Sequence, residues 1–87
     1  MPIFYFHLHN DEDVPDCEGQ EFTDLNEARA QAEHQTRLFV GESVKETGKI
    51  DFRHFVAIED AEGNLVDRVF FGDVVAVEGS LGQQAAT

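Results

Sequence analysis

Eighty-seven residues give room for one hydrophobic core, since a chain of that length buries only roughly 60 to 65% of its unfolded surface. Eight phenylalanines in a 41% apolar composition exclude a disordered chain, and no run approaches the roughly 20 apolar residues of a membrane helix. Eighteen acids against six basic residues set the formal charge at -12 and exclude a phosphate-neutralising surface, because nucleic-acid affinity comes from clustered cations and these are scattered singly.

The chain opens on Ile3-Phe4-Tyr5-Phe6-His7-Leu8-His9, a β-branched and aromatic run that predicts a strand. Alternation sends Phe4, Phe6 and Leu8 to the core and Ile3, Tyr5, His7 and His9 to the other face. Asn10 to Gly19 has loop composition, and Gln20 to Thr23 reads as a short returning strand. Asp24-Leu25-Asn26-Glu27 then starts a helix, with Asp24 as cap, Glu27 reaching back and Thr23 as the rival cap. Leu25, Ala28, Ala32, Thr36, Phe39 and Ser43 form its apolar stripe. The helix is expected to run to about Glu46 and stop near Gly48, with a break at Gly41, where glycine costs about 1 kcal/mol relative to alanine.

Phe52 to Glu59 and Leu65 to Phe71 predict a hairpin closed by Asp60-Ala61-Glu62-Gly63-Asn64, with a left-handed Gly63. The pairing expected from that turn sets Ile58 against Val66 and His54 against Phe70. One face then carries Phe52, Val56, Ile58, Val66 and Phe70, and the other Phe55, Ala57, Leu65, Val69 and Phe71. Val74 to Val77 is expected to add a further short strand, and residues 79–87 to form a mobile tail. Residues 1–78 thus read as one α+β domain: two layers, one long helix on a three- or four-stranded antiparallel sheet, in the order β-(β)-α-β-β.

These pieces resemble an uncharacterised family of short bacterial proteins. The matching segments are Tyr5-Phe6-His7-Leu8, Asp16-Cys17-Glu18-Gly19, the Asp24-Leu25 helix start with its spaced alanines, and Glu59-Asp60-Ala61-Glu62-Gly63 followed by Phe71-Gly72-Asp73. The resemblance spans about residues 3–77. It implies the same small fold and brings no activity, ligand or site residue with it.

Few residues carry chemistry. His7 and His9 share a strand face, and His54 joins them only in the right register; three imidazoles would make a transition-metal site, whereas a half-buried strand face beside an acidic loop needs no metal. Asn10 to Asp16 is oxygen-rich. Counting from Asp11, however, Asp16 and Phe22 stand where a calcium loop needs glycine and glutamate. Cys17 lies between Asp16 and Glu18, which disfavour a nucleophilic thiolate, and the isolated glycines form no phosphate loop. No catalytic, cofactor-binding or metal residue is therefore assigned, and no cofactor is expected.

Acids at 11, 12, 13, 16, 18, 21, 24 and 27 precede the first basic residue, Arg29. No basic residue precedes the apolar opening run, so no targeting segment is expected, and a single cysteine points to the cytoplasm. A hairpin apolar on both faces exceeds what one helix, about 10 Å across, can cover. The expectation is a small acidic non-catalytic interaction module, a homodimer through its apolar sheet face that also binds a protein partner, with no nucleic-acid or membrane partner. The alternative is a metal-binding protein or metal-dependent enzyme using His7, His9 and His54.

Overall fold

The computed structural model describes residues 1–79: β1 (Ile3–His9), β2 (Asp13–Val14), β3 (Gln20–Glu21), α1 (Leu25–Thr47), β4 (Phe55–Asp60) and β5 (Leu65–Phe70), then a 3-10 turn over Phe71–Asp73. The antiparallel sheet runs β2-β1-β4-β5, and β3 pairs the opposite end of the β1 edge that β2 occupies. One long helix lies on this sheet, as the two-layer reading predicts.

Local chemistry explains the helix ends. Asp24 Oδ1 accepts the Glu27 N–H at 2.9 Å, while Glu27 Oε1 accepts the Thr23 N–H at 2.9 Å, so one free donor of the first turn and the N–H just ahead of the cap are both satisfied. At the other end Gly48 takes φ 71°, where a side chain would be strained, and returns its N–H to the Val44 carbonyl at 2.9 Å. The helix does not break at Gly41, which sits on its exposed side. Its buried stripe is Ala28, Ala32, Thr36 and Val40, every fourth residue. The two alanines let the helix approach the sheet closely, and the buried Thr36 hydroxyl donates to the Ala32 carbonyl at 2.6 Å. Leu25, expected on the stripe, is exposed.

Facing the helix are Phe4, Leu8, Val56, Ile58, Val69 and Phe71, with Phe22 and Val74 in the same cluster. The β1 and β4 side chains fall as alternation predicts, because Phe6 pairs with Ile58 and Leu8 with Val56. The face assignment of β5 is corrected. Val69 and Phe71, expected on one face with Phe55 and Ala57, lie instead with Val56 and Ile58, 0% and 1% exposed beneath the helix. The hairpin starts in the expected register, with Gly63 at φ 84° and Glu59 opposite Leu65, but a bulge between Ile58 and Glu59 then shifts it. Val66 is left without a partner, Ile58 faces Asp67, Val56 faces Val69, and Phe55 rather than His54 faces Phe70.

The physical reason lies in Arg68. Without the bulge it would sit opposite Val56, on the helix side, as an unpaired cation in the core. The one-residue slip turns Arg68 outward, brings Val69 and Phe71 in, and sends Asp67 toward the helix, where the Arg29 guanidinium bonds it. Two strand expectations also change. Phe52 to His54 is a turn rather than the start of β4, and Val74 to Val77 follows the 3-10 turn without pairing as a strand. The expected mobile tail lies, apart from Gly79, outside the described residues.

Candidate functional site

The outer face of the sheet can be read as three rows across β1, β4 and β5: His9, Phe55 and Phe70; His7, Ala57 and Arg68; Tyr5, Glu59 and Leu65. Aromatic contacts run across it. The His9 ring stacks on Phe55 with centroids 4.8 Å apart, Phe55 meets Phe70 at 5.2 Å, and Tyr5 lies parallel to His7 at 6.4 Å. The Arg68 guanidinium carbon stands 5.4 Å from the Phe55 ring centre. Leu65, Val66 and Phe70 are 45%, 37% and 36% exposed, so the β5 side of this face is open and apolar.

The β1 side is screened. Gly19, at φ 72°, packs so closely against Ile3 and Tyr5 that an added Cβ would lie 2.8 Å from each side chain. Asp16 fixes this loop. Its Oδ2 accepts the Phe6 N–H at 3.1 Å, its Oδ1 accepts the Glu18 and Gly19 N–H groups at 3.0 and 3.1 Å, and its own N–H donates to His7 Nδ1 at 2.9 Å. Burial opposes the charge on Asp16, but the three backbone donors outweigh it. The carboxyl is therefore held below the usual aspartate range.

Carboxylates close both sheet edges. Asp16 fills the gap in the β1 edge between β3 and β2. On the β5 edge the Arg68 N–H bonds Asp67 Oδ1 at 2.8 Å and the Phe70 N–H bonds Asp73 Oδ2 at 2.9 Å, while Arg29 reaches the Arg68 carbonyl at 3.3 Å. A free β5 edge carrying exposed Leu65, Val66 and Phe70 would otherwise template pairing with another chain. Asp73→Ala is accordingly expected to raise thioflavin-positive aggregation at 37 °C several-fold, with wild-type circular dichroism at the start. Aggregation no faster than wild type would show that the edge needs no such cap.

The three histidines do not converge. His7 and His9 line one shallow hollow with Asp13 and Glu59, whereas His54 lines an open groove of about 710 Å³ with Ser43, Thr47, Lys49, Ile50 and Phe52 at the C-terminal end of α1. The His7 Nδ1 lone pair is occupied by the Asp16 N–H, which puts the ring proton on Nε2, 3.3 Å from Glu59 Oε1. That neutral ring has no lone pair left for a metal. His9 Nδ1 contacts Asp13 Oδ1 at 2.8 Å, and His54 Nε2 lies 3.5 Å from Asp51 and 3.7 Å from Asp11. Among the described residues no group of three or more His, Cys, Asp or Glu side chains is placed to hold a metal ion.

The acids of the 10–16 loop likewise diverge, Asp11 toward His54, Asp13 to His9 and Asp16 to backbone amides. In the His54 groove the Arg53 side chain and N–H bond Asp51 and hold its carboxyl well below the usual range. Cys17 is exposed. Residue reading alone did not assemble the Phe55, Phe70 and Arg68 group. The signal was available in Arg68, which the unbulged register would have buried.

A two-layer α+β domain whose outer sheet face, along β4 and β5, is left open by the described residues is the class of protein that this fold and surface define. The chain belongs to a family described as a domain of unknown function, DUF6894, whose model matches residues 3–72. No curated protein and no solved structure matches it. Among the described residues no helix is long and apolar enough to cross a membrane.

Proposed function

We propose that this protein is a small acidic non-catalytic interaction module, cytoplasmic, whose contact surface is the outer sheet face along β4 and β5. The observation that carries this reading is the exposed Phe70, Leu65 and Val66 group flanked by Arg68 and Phe55, on a face that no element of the described chain covers. Large exposed apolar groups rimmed by polar residues mark interaction sites in soluble proteins. Aromatic and arginine side chains are the types that dominate binding energy when buried by a partner. Side-chain caps on both sheet edges direct association to the face.

Photo-crosslinking tests the reading. A photoreactive residue placed at Leu65 in the full chain, in the cells that make it, should give discrete protein adducts. The same probe at Leu38, 59% exposed on the helix, should give few. Equal yields from the two positions, no adduct from Leu65, or adducts with nucleic acid would overturn it.

A further inference from the structure

We propose that the occupant of the outer face is a second copy of this chain, related by a two-fold axis that runs along the strands between β4 and β5. The inference rests on the interaction-module reading and names its partner. Rotation about that axis exchanges the two columns of the face. Phe55 of each copy then meets Phe70 of the other, giving one cluster of four rings. Arg68 of each copy lands over Ala57 of the other, with Glu59 one step further along the same strand.

Three features support this arrangement. Ala57 is the smallest side chain in the face and, at 2% exposed, is already covered by its own neighbours, so nothing stands up between Phe55 and Glu59 to block an arginine stem that crosses above it. Among the described residues Arg68 forms no salt bridge with a carboxylate and Glu59 is met by His7 alone, so the face holds one cation and one anion that can pair across the contact. The Gly19 loop stands over β1 only, and the proposed axis leaves that column outside the contact.

A face with one positive and one negative charge is the place where two chains of charge -12 can touch without bringing net charge together. Isologous two-fold contacts require this self-complementarity. Two packed sheets keep their strands within about 30° of each other, which suits an axis along the strands. The patch is about 20 Å long and two strands, about 10 Å, wide. That is small against the roughly 800 Å² per partner of a standard interface, so the pairing is reversible.

Sedimentation equilibrium on the full chain between roughly 20 and 500 μM, in about 150 mM salt where the Debye length is about 8 Å, measures it. Wild type should show a monomer–dimer equilibrium. Arg68→Glu and Glu59→Arg should each weaken it by about tenfold or more, since each sets like charges against each other. The double variant, with the charges exchanged, should recover wild-type association to within about threefold. Phe70→Asp should abolish the dimer with the circular dichroism spectrum unchanged.

A wild-type chain monomeric throughout this range overturns the second copy as occupant, while Leu65 crosslinks to another protein would still uphold the module. A dimer lost in Phe70→Asp but indifferent to both charge reversals overturns the crossing arrangement alone. A dimer indifferent to Phe70→Asp overturns both.

Discussion

Phe71→Ala is expected to cost about 3 to 5 kcal/mol, the range for removing a large aromatic side chain from a packed core. Phe71 is 1% exposed, belongs to the main cluster and meets His54 edge-on with centroids 5.5 Å apart. Domains hold a net stability of about 5 to 15 kcal/mol, so this one substitution removes a large part of it. At roughly 4 to 8 °C per kcal/mol for a chain of this size, the thermal midpoint should fall by about 12 to 40 °C. Phe70→Ala, at the next residue, should cost under about 1.5 kcal/mol, because Phe70 is 36% exposed and its ring packs against that of Phe55 on the open face. Urea unfolding of the pair of variants measures both. The reverse order, a costly Phe70→Ala beside a mild Phe71→Ala, would mean that β5 pairs without its bulge.

That comparison marks where sequence reasoning reached its limit. Parity along β1 was legible because one face reads Phe4, Phe6, Leu8 and the other carries the histidines. The helix ends were legible because Asp24, Glu27 and Gly48 are local signals whose hydrogen bonds span at most four residues. The hairpin turn was legible through Gly63. The register beyond it was not, since both faces of β5 contain apolar residues and a one-residue slip exchanges them all. What decides the slip is a contact between residues 38 apart, Arg29 with Asp67, and the cost of burying Arg68. The same limit applies to His54, whose distance from His7 and His9 depends on that tertiary arrangement.

The acidic composition has a structural component that charge counting misses. Asp16, Asp67 and Asp73 accept backbone N–H groups at the sheet edges, Asp24 caps the helix, and Asp60 accepts the Glu62 and Asn64 N–H groups across the hairpin turn. Such carboxylates replace missing strand or helix partners, and each bond is local or edge-specific. Part of the charge of -12 is thus spent inside the fold's own hydrogen-bond network, leaving the outer face of β4 and β5 with Glu59 and Arg68 as its charged pair. A surface that is nearly neutral within an acidic chain favours contact there over contact elsewhere.

Asp16→Ala is expected to destabilise the fold by about 2 to 4 kcal/mol at pH 7. Hydrogen bonds to a charged acceptor contribute about 1.5 to 3 kcal/mol each, and three N–H groups lose theirs. Glu18 is exposed and Gly19 half-buried, so water recovers part of two of those bonds, whereas the Phe6 N–H sits within the sheet beneath the loop. Loss of the carboxylate also releases the loop from Ile3 and Tyr5 and leaves His7 Nδ1 without a fixed donor. Asp16→Asn should cost nearly as much, since an amide that keeps its oxygen toward Glu18 and Gly19 turns an NH2 group against the Phe6 N–H. The pH dependence has a defined sign. Because the folded-state pKa lies below the unfolded value of about 3.9, the ionised Asp16 contributes its full stabilisation above that pH and loses it as pH falls through the folded value. The stability gap between wild type and Asp16→Asn, measured by urea unfolding, should therefore be constant from about pH 8 to 5 and narrow toward pH 2. The depressed carboxyls of Asp51 and Asp60 titrate in both proteins and cancel in this difference. A gap that stays the same at pH 3 and pH 7 would show that shape, rather than the charge on Asp16, holds the loop to the strand.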